Sequence, residues 1–125
     1  MSVTVVIADD DPDIRRLVTI SAMRAGLEVL VDVGDGDRAW EMIERHVPDL
    51  AILDVSMPGL TGLDVCRLVR NDPALTEVRV LLISAAADEA SVQAGLDAGA
   101  IDYLSKPFSP RELAARLAIY SGGVT

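Results

Sequence analysis

The feature that most constrains this chain is the regular alternation of short apolar runs with amphipathic stretches. The apolar runs cover residues 3–8, 29–33, 50–53, 78–83 and 101–104. The first four are rich in aliphatic residues without polar alternation, which is typical of strands buried on both faces; the last is shorter and contains an Asp, which indicates an edge strand. Strands that alternate with helices in this way predict an α/β fold, in which helices cover both faces of a parallel sheet.

Several helix boundaries are visible in the sequence. Asp11 followed by a proline indicates a helix start, because Asp caps exposed backbone N–H groups and Pro suits the first turn. Ser109 and Glu112 have the spacing of a capping box. Gly26 and Gly99 lie where the first and fourth helices are expected to end.

Composition limits the classes of function that the chain can have. Residues 1–121 are predicted to form one domain, followed by a frayed end at 122–125. A formal net charge of −9 argues against direct binding of nucleic acid, which needs a basic surface. The single cysteine, Cys66, is expected in the core. No apolar run approaches the ~18 residues of a membrane span and the N-terminus lacks a basic segment, so we expect a cytoplasmic protein without a membrane partner.

Polar residues follow four of the predicted strands. They are Asp9 and Asp10 after the first strand, Asp54 after the third, Ser84 after the fourth and Lys106 after the fifth. Ligands of open parallel sheets bind at the carboxyl ends of the strands, so these side chains are expected to meet there. Carboxylates brought together repel one another, and a hard divalent cation such as Mg²⁺ relieves that repulsion. A hydroxyl and an ammonium group nearby suit the oxygens of a transferred phosphoryl group.

Four segments of the sequence resemble the receiver domains of bacterial response regulators, which act in two-component signalling. The segments are 5–12 (VVIADDDP), 54–62 (DVSMPGLTG), 82–86 (LISAA) and 99–108 (GAIDYLSKPF). The resemblance covers nearly the whole chain. It implies a flavodoxin-like (βα)5 fold, doubly wound with strand order 2-1-3-4-5. It also implies a phosphoacceptor signalling domain rather than an enzyme, with a sensor histidine kinase or a phosphotransfer protein as its partner.

At the matching positions, the resemblance implies a Mg²⁺ site. Asp10 would bind the cation directly and Asp9 mainly through water. Asp54 and the backbone carbonyl of Ser56 would complete the protein's ligands.

The same resemblance assigns the groups that handle the phosphoryl. Asp54 would be the phosphoacceptor, and Lys106 would pair first with Asp54 and then with a phosphoryl oxygen. Ser84 would hydrogen-bond another oxygen and move inward, and Tyr103 would turn into the space that Ser84 leaves. A cis peptide bond is expected before Pro107.

The sequence departs from the commoner receiver pattern around the fourth helix. This helix, predicted within residues 88–99 with Val92 and Leu96 on its apolar face, contains no Lys or Arg, and Ile101 replaces a frequent acidic residue. Ser84 stands where many receivers have Thr. Activated receivers of transcription factors pair through the fourth helix, fifth strand and fifth helix by means of ion pairs. We therefore expect a monomer that dimerises at most weakly on activation through this face.

Three other classes of function stay open on the residues alone. A phosphatase of the haloacid dehalogenase type would use an Asp-x-Asp pair; Asp9 and Asp11 have that spacing, but Pro12 and Asp13 follow instead of the hydrophobic residue and Thr of that motif. A flavin-binding module would need a hydroxyl- and glycine-rich phosphate loop, whereas the loop here is acidic. A degenerate receiver that only docks partners would not need the complete set of acidic, hydroxyl and lysine side chains.

Overall fold

The protein folds into one parallel sheet with helices on both faces. A computed structural model describes residues 2–121, so the predicted frayed end at 122–125 lies outside the described residues. The strands are β1 (Thr4–Ala8), β2 (Glu28–Val33), β3 (Leu50–Asp54), β4 (Arg79–Ser84) and β5 (Asp102–Ser105). The helices are α1 (Pro12–Arg24), α2 (Gly36–His46), α3 (Gly62–Asn71), α4 (Glu89–Asp97) and α5 (Pro110–Tyr120), with a 3-10 turn at Pro73–Leu75. The strand order is β2-β1-β3-β4-β5 with every pair parallel, which confirms the predicted doubly wound topology.

Helix caps place the elements where the sequence indicated. The side chain of Asp11 accepts hydrogen bonds from the backbone N–H groups of Asp13 and Ile14, at 2.9 and 3.3 Å. Ser109 and Glu112 form the expected capping box at the start of α5. After α1 and α4, Gly26 and Gly99 have φ angles of 87° and 109°, a left-handed conformation that other residues adopt at a cost. These predicted boundaries are therefore confirmed.

The core consists of two apolar layers, one on each face of the sheet. Successive residues of β3 alternate between them: Leu50 and Ile52 pack with α1 and α5, whereas Ala51 and Leu53 pack with α2 and α3. Every residue of β3 is buried, as expected for the central strand of a sheet covered on both sides. Cys66 lies in the second layer, and burial raises the pKa of its thiol to about 11. The prediction that Cys66 is a core residue is confirmed.

Two expectations about burial are wrong. β2 is mostly half-exposed rather than buried on both faces, because the strand order makes it an edge strand with β1 as its single neighbour. Leu96 does not face the core: it is 43% exposed, whereas the buried residue of α4 is Gly95. Adjacent helical residues point about 100° apart, so a helix that buries Gly95 turns Leu96 toward solvent.

No helix within residues 2–121 is both long and apolar enough to cross a membrane.

Candidate phosphoacceptor site

The polar side chains predicted at the strand ends lie together at the carboxyl edge of the sheet. β1, β3, β4 and β5 are successive neighbours and run in the same direction, so their last residues share one edge. Among the described residues, the buried polar side chains are those of Asp9, Asp54 and Ser84, at 1%, 3% and 5% exposure. Burial of charged and hydroxyl groups is costly unless they have partners, so their collection at one edge marks a site.

Two carboxylates share one ammonium group in this site. The Nζ atom of Lys106 lies 3.1 Å from Oδ2 of Asp54 and 3.3 Å from Oδ2 of Asp9. The other oxygen of Asp54 accepts a long hydrogen bond of 3.4 Å from the backbone N–H of Ser56. Burial and the charge of Asp9 raise the pKa of Asp54 to about 6, and the Lys106 ammonium offsets only part of this effect.

Lys106 is fixed from both its backbone and its side chain. Its backbone N–H donates to the carbonyl of Ser84 at 2.7 Å, and the peptide bond to Pro107 is cis, as expected. Burial opposes the charge of the ammonium, but the hydrogen bonds and charges of Asp54 and Asp9 outweigh it and raise the pKa of Lys106. Lys106 is therefore a permanent cation at neutral pH. It is also the only lysine in the sequence.

Three acidic residues lie close enough together to hold a divalent cation. Asp9, Asp10 and Asp54 each offer one carboxylate oxygen, and these oxygens lie within 4.8 Å of one another. Oδ1 of Asp9 accepts from the backbone N–H of Asp11 at 2.9 Å, whereas Oδ2 of Asp9 is buried without a hydrogen bond and forms the 3.3 Å ion pair with Lys106. Because Lys106 shares its single charge between Asp9 and Asp54, the buried carboxylates keep an excess of negative charge that a divalent cation would neutralise. These three residues thus fit a metal site; the role of the Ser56 carbonyl stays a prediction.

Ser84 and Tyr103 are joined through one residue of the loop after β4. The hydroxyl of Ser84 accepts from the backbone N–H of Ala86 at 3.0 Å, and the hydroxyl of Tyr103 donates to the carbonyl of Ala86 at 2.6 Å. The ring of Tyr103 is buried, at 9% exposure, and so already lies inward beside a Ser84 hydroxyl that faces its own loop. The order in which Ser84 and Tyr103 would move stays a prediction.

Sequence reasoning missed two residues that shape the site. Arg15 of α1 donates from Nη1 to the carbonyl of Asp9 at 3.1 Å and lies 3.2 Å from Asp32, so it fastens the acidic loop to α1 and β2. Gly62 begins α3 directly under the phosphoacceptor candidate: a Cβ there would lie 2.4 Å from the carbonyl oxygen of Asp54. A glycine at the first position of a helix was a visible signal, but nothing in the sequence indicated the partner of Arg15.

Comparisons with known proteins agree with this geometry. Residues 5–118 match the family model described as the response regulator receiver domain. The chain belongs to this family. Among relatives of this receiver, the DNA-binding response regulator MtrA of Mycolicibacterium smegmatis is 39% identical over 113 residues, which cover 90% of this chain and 48% of that protein. The receiver spans about half the length of the curated relatives it matches.

Solved receiver structures show the same fold. The chemotaxis response regulator CheY4 of Vibrio cholerae has 30% identity and a TM-score of 0.86, with 94% of this chain and 97% of that chain covered. The BeF3-activated receiver domain of RstA from Klebsiella pneumoniae has 32% identity and a TM-score of 0.80, with 93% and 96% covered. The predicted membership of the two-component response regulators is confirmed, and these relatives are regulators rather than classical enzymes. The phosphatase and flavin-binding alternatives are not favoured.

Proposed function

We propose that this receiver accepts a phosphoryl group on Asp54, in a reaction that depends on Mg²⁺, from a phosphohistidine of a sensor histidine kinase or a phosphotransfer protein. The observation that carries the proposal is the position of Asp54. It is a buried carboxylate at the centre of the sheet edge, in contact with the only lysine of the chain and close to two further acidic residues.

Asp54 is better suited to be the nucleophile than either neighbouring Asp. Asp9 accepts a 2.9 Å hydrogen bond from the Asp11 N–H, whereas the bond from the Ser56 N–H to Asp54 is long, at 3.4 Å. Asp10 is exposed and, among the described residues, forms no ion pair with Lys106. With a pKa of about 6, Asp54 is mostly ionised at pH 7.5 and so can attack, yet it is more basic than an ordinary carboxylate. Asp54 therefore combines the charge, the basicity and the fixed position of a phosphoacceptor.

Asp9, Asp10 and Asp54, together with the Ser56 carbonyl, would hold the Mg²⁺ ion. The buried Oδ2 of Asp9, which has no hydrogen bond, and the close approach of the three carboxylates support this assignment. When bound, the cation supplies neutralisation of negative charge, both among the carboxylates and on the phosphoryl oxygens.

The chain's own groups account for the transfer. An oxygen of Asp54 forms a bond to phosphorus while the bond from phosphorus to the donor imidazole nitrogen breaks, and the electron pair of that bond leaves with the imidazole. Lys106 exchanges its contact with the attacking oxygen for a phosphoryl oxygen, which keeps the developing charge paired. Ser84 turns its hydroxyl from the Ala86 N–H to another phosphoryl oxygen. The new charge of about −1.5 to −2 thereby alters the loop after β4, from which the change reaches α4, β5 and α5.

Incubation with acetyl phosphate tests the proposal. With Mg²⁺, the wild-type protein should gain the mass of one phosphoryl group, and Asp54→Ala should gain none. EDTA should stop the reaction in the wild type. Asp13→Ala is the matched control, since Asp13 is an exposed carboxylate of α1 and should label like the wild type. Full labelling of Asp54→Ala, or labelling of the wild type that EDTA leaves unchanged, would contradict the proposal.

The proposal extends to the domain and its surroundings. We infer that residues 1–121 form the receiver unit. We also infer that this unit does not itself bind nucleic acid, because the full sequence has a formal net charge of −9. The relatives named as DNA-binding regulators are about twice as long as this chain. Where a longer protein contains this receiver, contact with DNA would belong to its other domain.

A further inference from the structure

The packing of α4 against β5 depends on Gly95. Gly95 is the buried residue of α4, and it lies over the ring of Tyr103. A Cβ at this position would lie 2.8 Å from Cδ2 and 3.2 Å from Cε2 of Tyr103, and 3.1 Å from Cδ1 of Leu82. The Leu82 methyl is the end of a flexible side chain, whereas the Tyr103 ring is rigid and held at its hydroxyl. The inward ring therefore uses space that a larger residue at 95 would take.

The ring that Gly95 accommodates is bonded to the loop that carries Ser84. Ala86 accepts from the Tyr103 hydroxyl through its carbonyl and donates through its N–H to the Ser84 hydroxyl. If Ser84 turns to a phosphoryl oxygen, the Ala86 N–H loses its acceptor. The Tyr103 hydrogen bond is then the contact that continues to hold Ala86.

The choice of glycine here works against the stability of the helix. Gly is a poorer helix former than Ala in a helix interior, because it has more backbone freedom to lose. On helix propensity alone, Gly95→Ala should strengthen α4. The small size of Gly95 is therefore best explained by the ring beneath it.

We propose that Gly95 is a positioning residue for the switch: by leaving room for the inward Tyr103 ring, it keeps Ala86 in place when the Ser84 hydroxyl turns to the phosphoryl group. This inference rests on the proposed phosphoacceptor function. With a methyl group at 95, either the ring moves outward or α4 moves away from the sheet, and both movements lengthen the Tyr103–Ala86 hydrogen bond. The phosphorylated form should lose more stabilisation than the unphosphorylated form, because in the latter the Ser84 hydroxyl still accepts the Ala86 N–H and helps to hold Ala86.

A double-mutant cycle tests the inference. Gly95→Ala would be made in the wild type and in Tyr103→Leu, which removes the ring, and the affinity for beryllofluoride with saturating Mg²⁺ would be measured by calorimetry. In the wild type, Gly95→Ala should weaken beryllofluoride binding about fivefold, the effect of losing one neutral hydrogen bond. In Tyr103→Leu it should have no effect. Ala90→Gly is the control for helix propensity, since Ala90 is exposed on α4, and it should not alter the affinity.

A second measurement reports the ring directly and needs no phosphoryl chemistry. The sequence has two tyrosines, so protein labelled with 3-fluorotyrosine should give one fluorine resonance from Tyr103 and a reference from Tyr120. Gly95→Ala should shift or broaden the Tyr103 resonance and leave Tyr120 unchanged. If Gly95→Ala does not fold, adding Tyr103→Leu should restore folding.

The outcomes separate the two proposals. An unshifted Tyr103 resonance in folded Gly95→Ala, an equal loss of affinity in both backgrounds, or failure of Tyr103→Leu to restore a misfolded Gly95→Ala protein would overturn the role of Gly95. If the wild type neither binds beryllofluoride nor takes up a phosphoryl group, the phosphoacceptor proposal fails and the role of Gly95 in the switch fails with it. If the wild type binds beryllofluoride normally but Gly95→Ala has the same effect with and without the Tyr103 ring, only the role of Gly95 is overturned.

Discussion

Among the charged clusters of the described residues, two at opposite ends of β5 differ in how well their charges are balanced. At the base of β5, the single carboxylate of Asp102 accepts from the guanidinium of Arg116, from the hydroxyl of Tyr120 at 3.1 Å and from the backbone N–H of Tyr103 at 2.8 Å. At the carboxyl edge of the sheet, Asp54 and Asp9 share the one ammonium group of Lys106. The first cluster has one cation for one carboxylate, whereas the second has one cation for two carboxylates.

The pKa values follow this difference. The hydrogen bond to Asp102 raises the pKa of Arg116, so the fold favours the charged guanidinium. At the sheet edge, burial and the charge of Asp9 raise the pKa of Asp54 to about 6, so the fold disfavours the charged carboxylate. A structural cluster thus satisfies its charges, whereas the candidate functional cluster keeps an excess of negative charge that a cation and a phosphoryl group can use.

The largest effect is expected from neutralising Asp54. Because the pKa of Asp54 is raised from 3.8 to about 6, ionised Asp54 lowers the free energy of unfolding by at most about 3 kcal/mol at neutral pH. The proton bound to Asp54 contributes stability that is fully present below the pKa of the unfolded chain, 3.8, and is lost as pH rises through the folded pKa of about 6. Asp54→Asn should therefore match the wild type near pH 3 and exceed its free energy of unfolding by about 1–3 kcal/mol at pH 7.5 in EDTA. Urea unfolding at both pH values checks this, and a less stable Asp54→Asn at pH 7.5 would refute the imbalance.

Removing the charge of Asp102 from the balanced cluster should lower the free energy of unfolding, whereas removing that of Asp54 should raise it. Asp102→Asn keeps the size of the side chain but removes the charge that Arg116 and Tyr120 contact. Because Arg116 is partly exposed, we expect a loss of only about 1 kcal/mol in the free energy of unfolding. Urea unfolding at pH 7.5 measures it, with Asp97→Asn on the exposed end of α4 as the control. A gain in stability for Asp102→Asn would remove the contrast between the clusters.

Lys106→Ala examines the competition between the ammonium group and the metal. Lys106 contacts two of the three carboxylates proposed as metal ligands without being a ligand itself, so its loss removes a competing cation. Mg²⁺ affinity, measured by calorimetry, should stay unchanged or rise a few-fold, whereas Asp9→Asn should lower it. Phosphoryl uptake by Lys106→Ala should still be impaired. Loss of Mg²⁺ binding in a folded Lys106→Ala protein would show that its role is wrongly assigned.

The smallest effect is expected on assembly. Side chains that could pair two receivers are already engaged within one chain: Arg116 with Asp102, and Glu112 with the Ser109 N–H. Partly exposed Leu96 and Ile101, at 43% and 41%, add some apolar surface. Sedimentation should show a monomer without phosphorylation and at most weak dimerisation with Mg²⁺ and beryllofluoride.

One result would contradict this expectation about assembly. A tight activated dimer, with a Kd of about 1 µM or below, would require stronger contacts than surface ion pairs provide. If Arg116→Glu disrupted such a dimer, the intrachain pair with Asp102 would be shown to exchange for a pair between chains.

The sequence predicted the sheet well because its strands are short aliphatic runs with a clear boundary at each end. It predicted the site for a topological reason: residues directly after parallel strands share one edge, so Asp54 and Lys106 meet although 52 positions separate them. Burial of β2 was mispredicted because its aliphatic composition resembles that of central strands, and only the strand order shows that it is an edge.

Other features depend on distances that no local pattern contains. Arg15 reaches the Asp9 carbonyl through a long side chain whose direction is set by the packing of α1. Gly95 and Leu96 differ in burial because of the Tyr103 ring beneath α4, and helical spacing alone favoured Leu96. The inward position of Tyr103, with Ser84 still bonded to its own loop, likewise belongs to the tertiary structure.

The measurement that tests the central claim most directly is chemical location of the phosphoryl group. After incubation with acetyl phosphate and Mg²⁺, sodium borohydride reduces an aspartyl phosphate to homoserine, which peptide mass spectrometry can place in the sequence. Homoserine is expected at position 54 alone, and none is expected in EDTA or in Asp54→Asn. Homoserine at Asp9 or Asp10 in the wild type, or a phosphoryl group that borohydride does not convert, would contradict it.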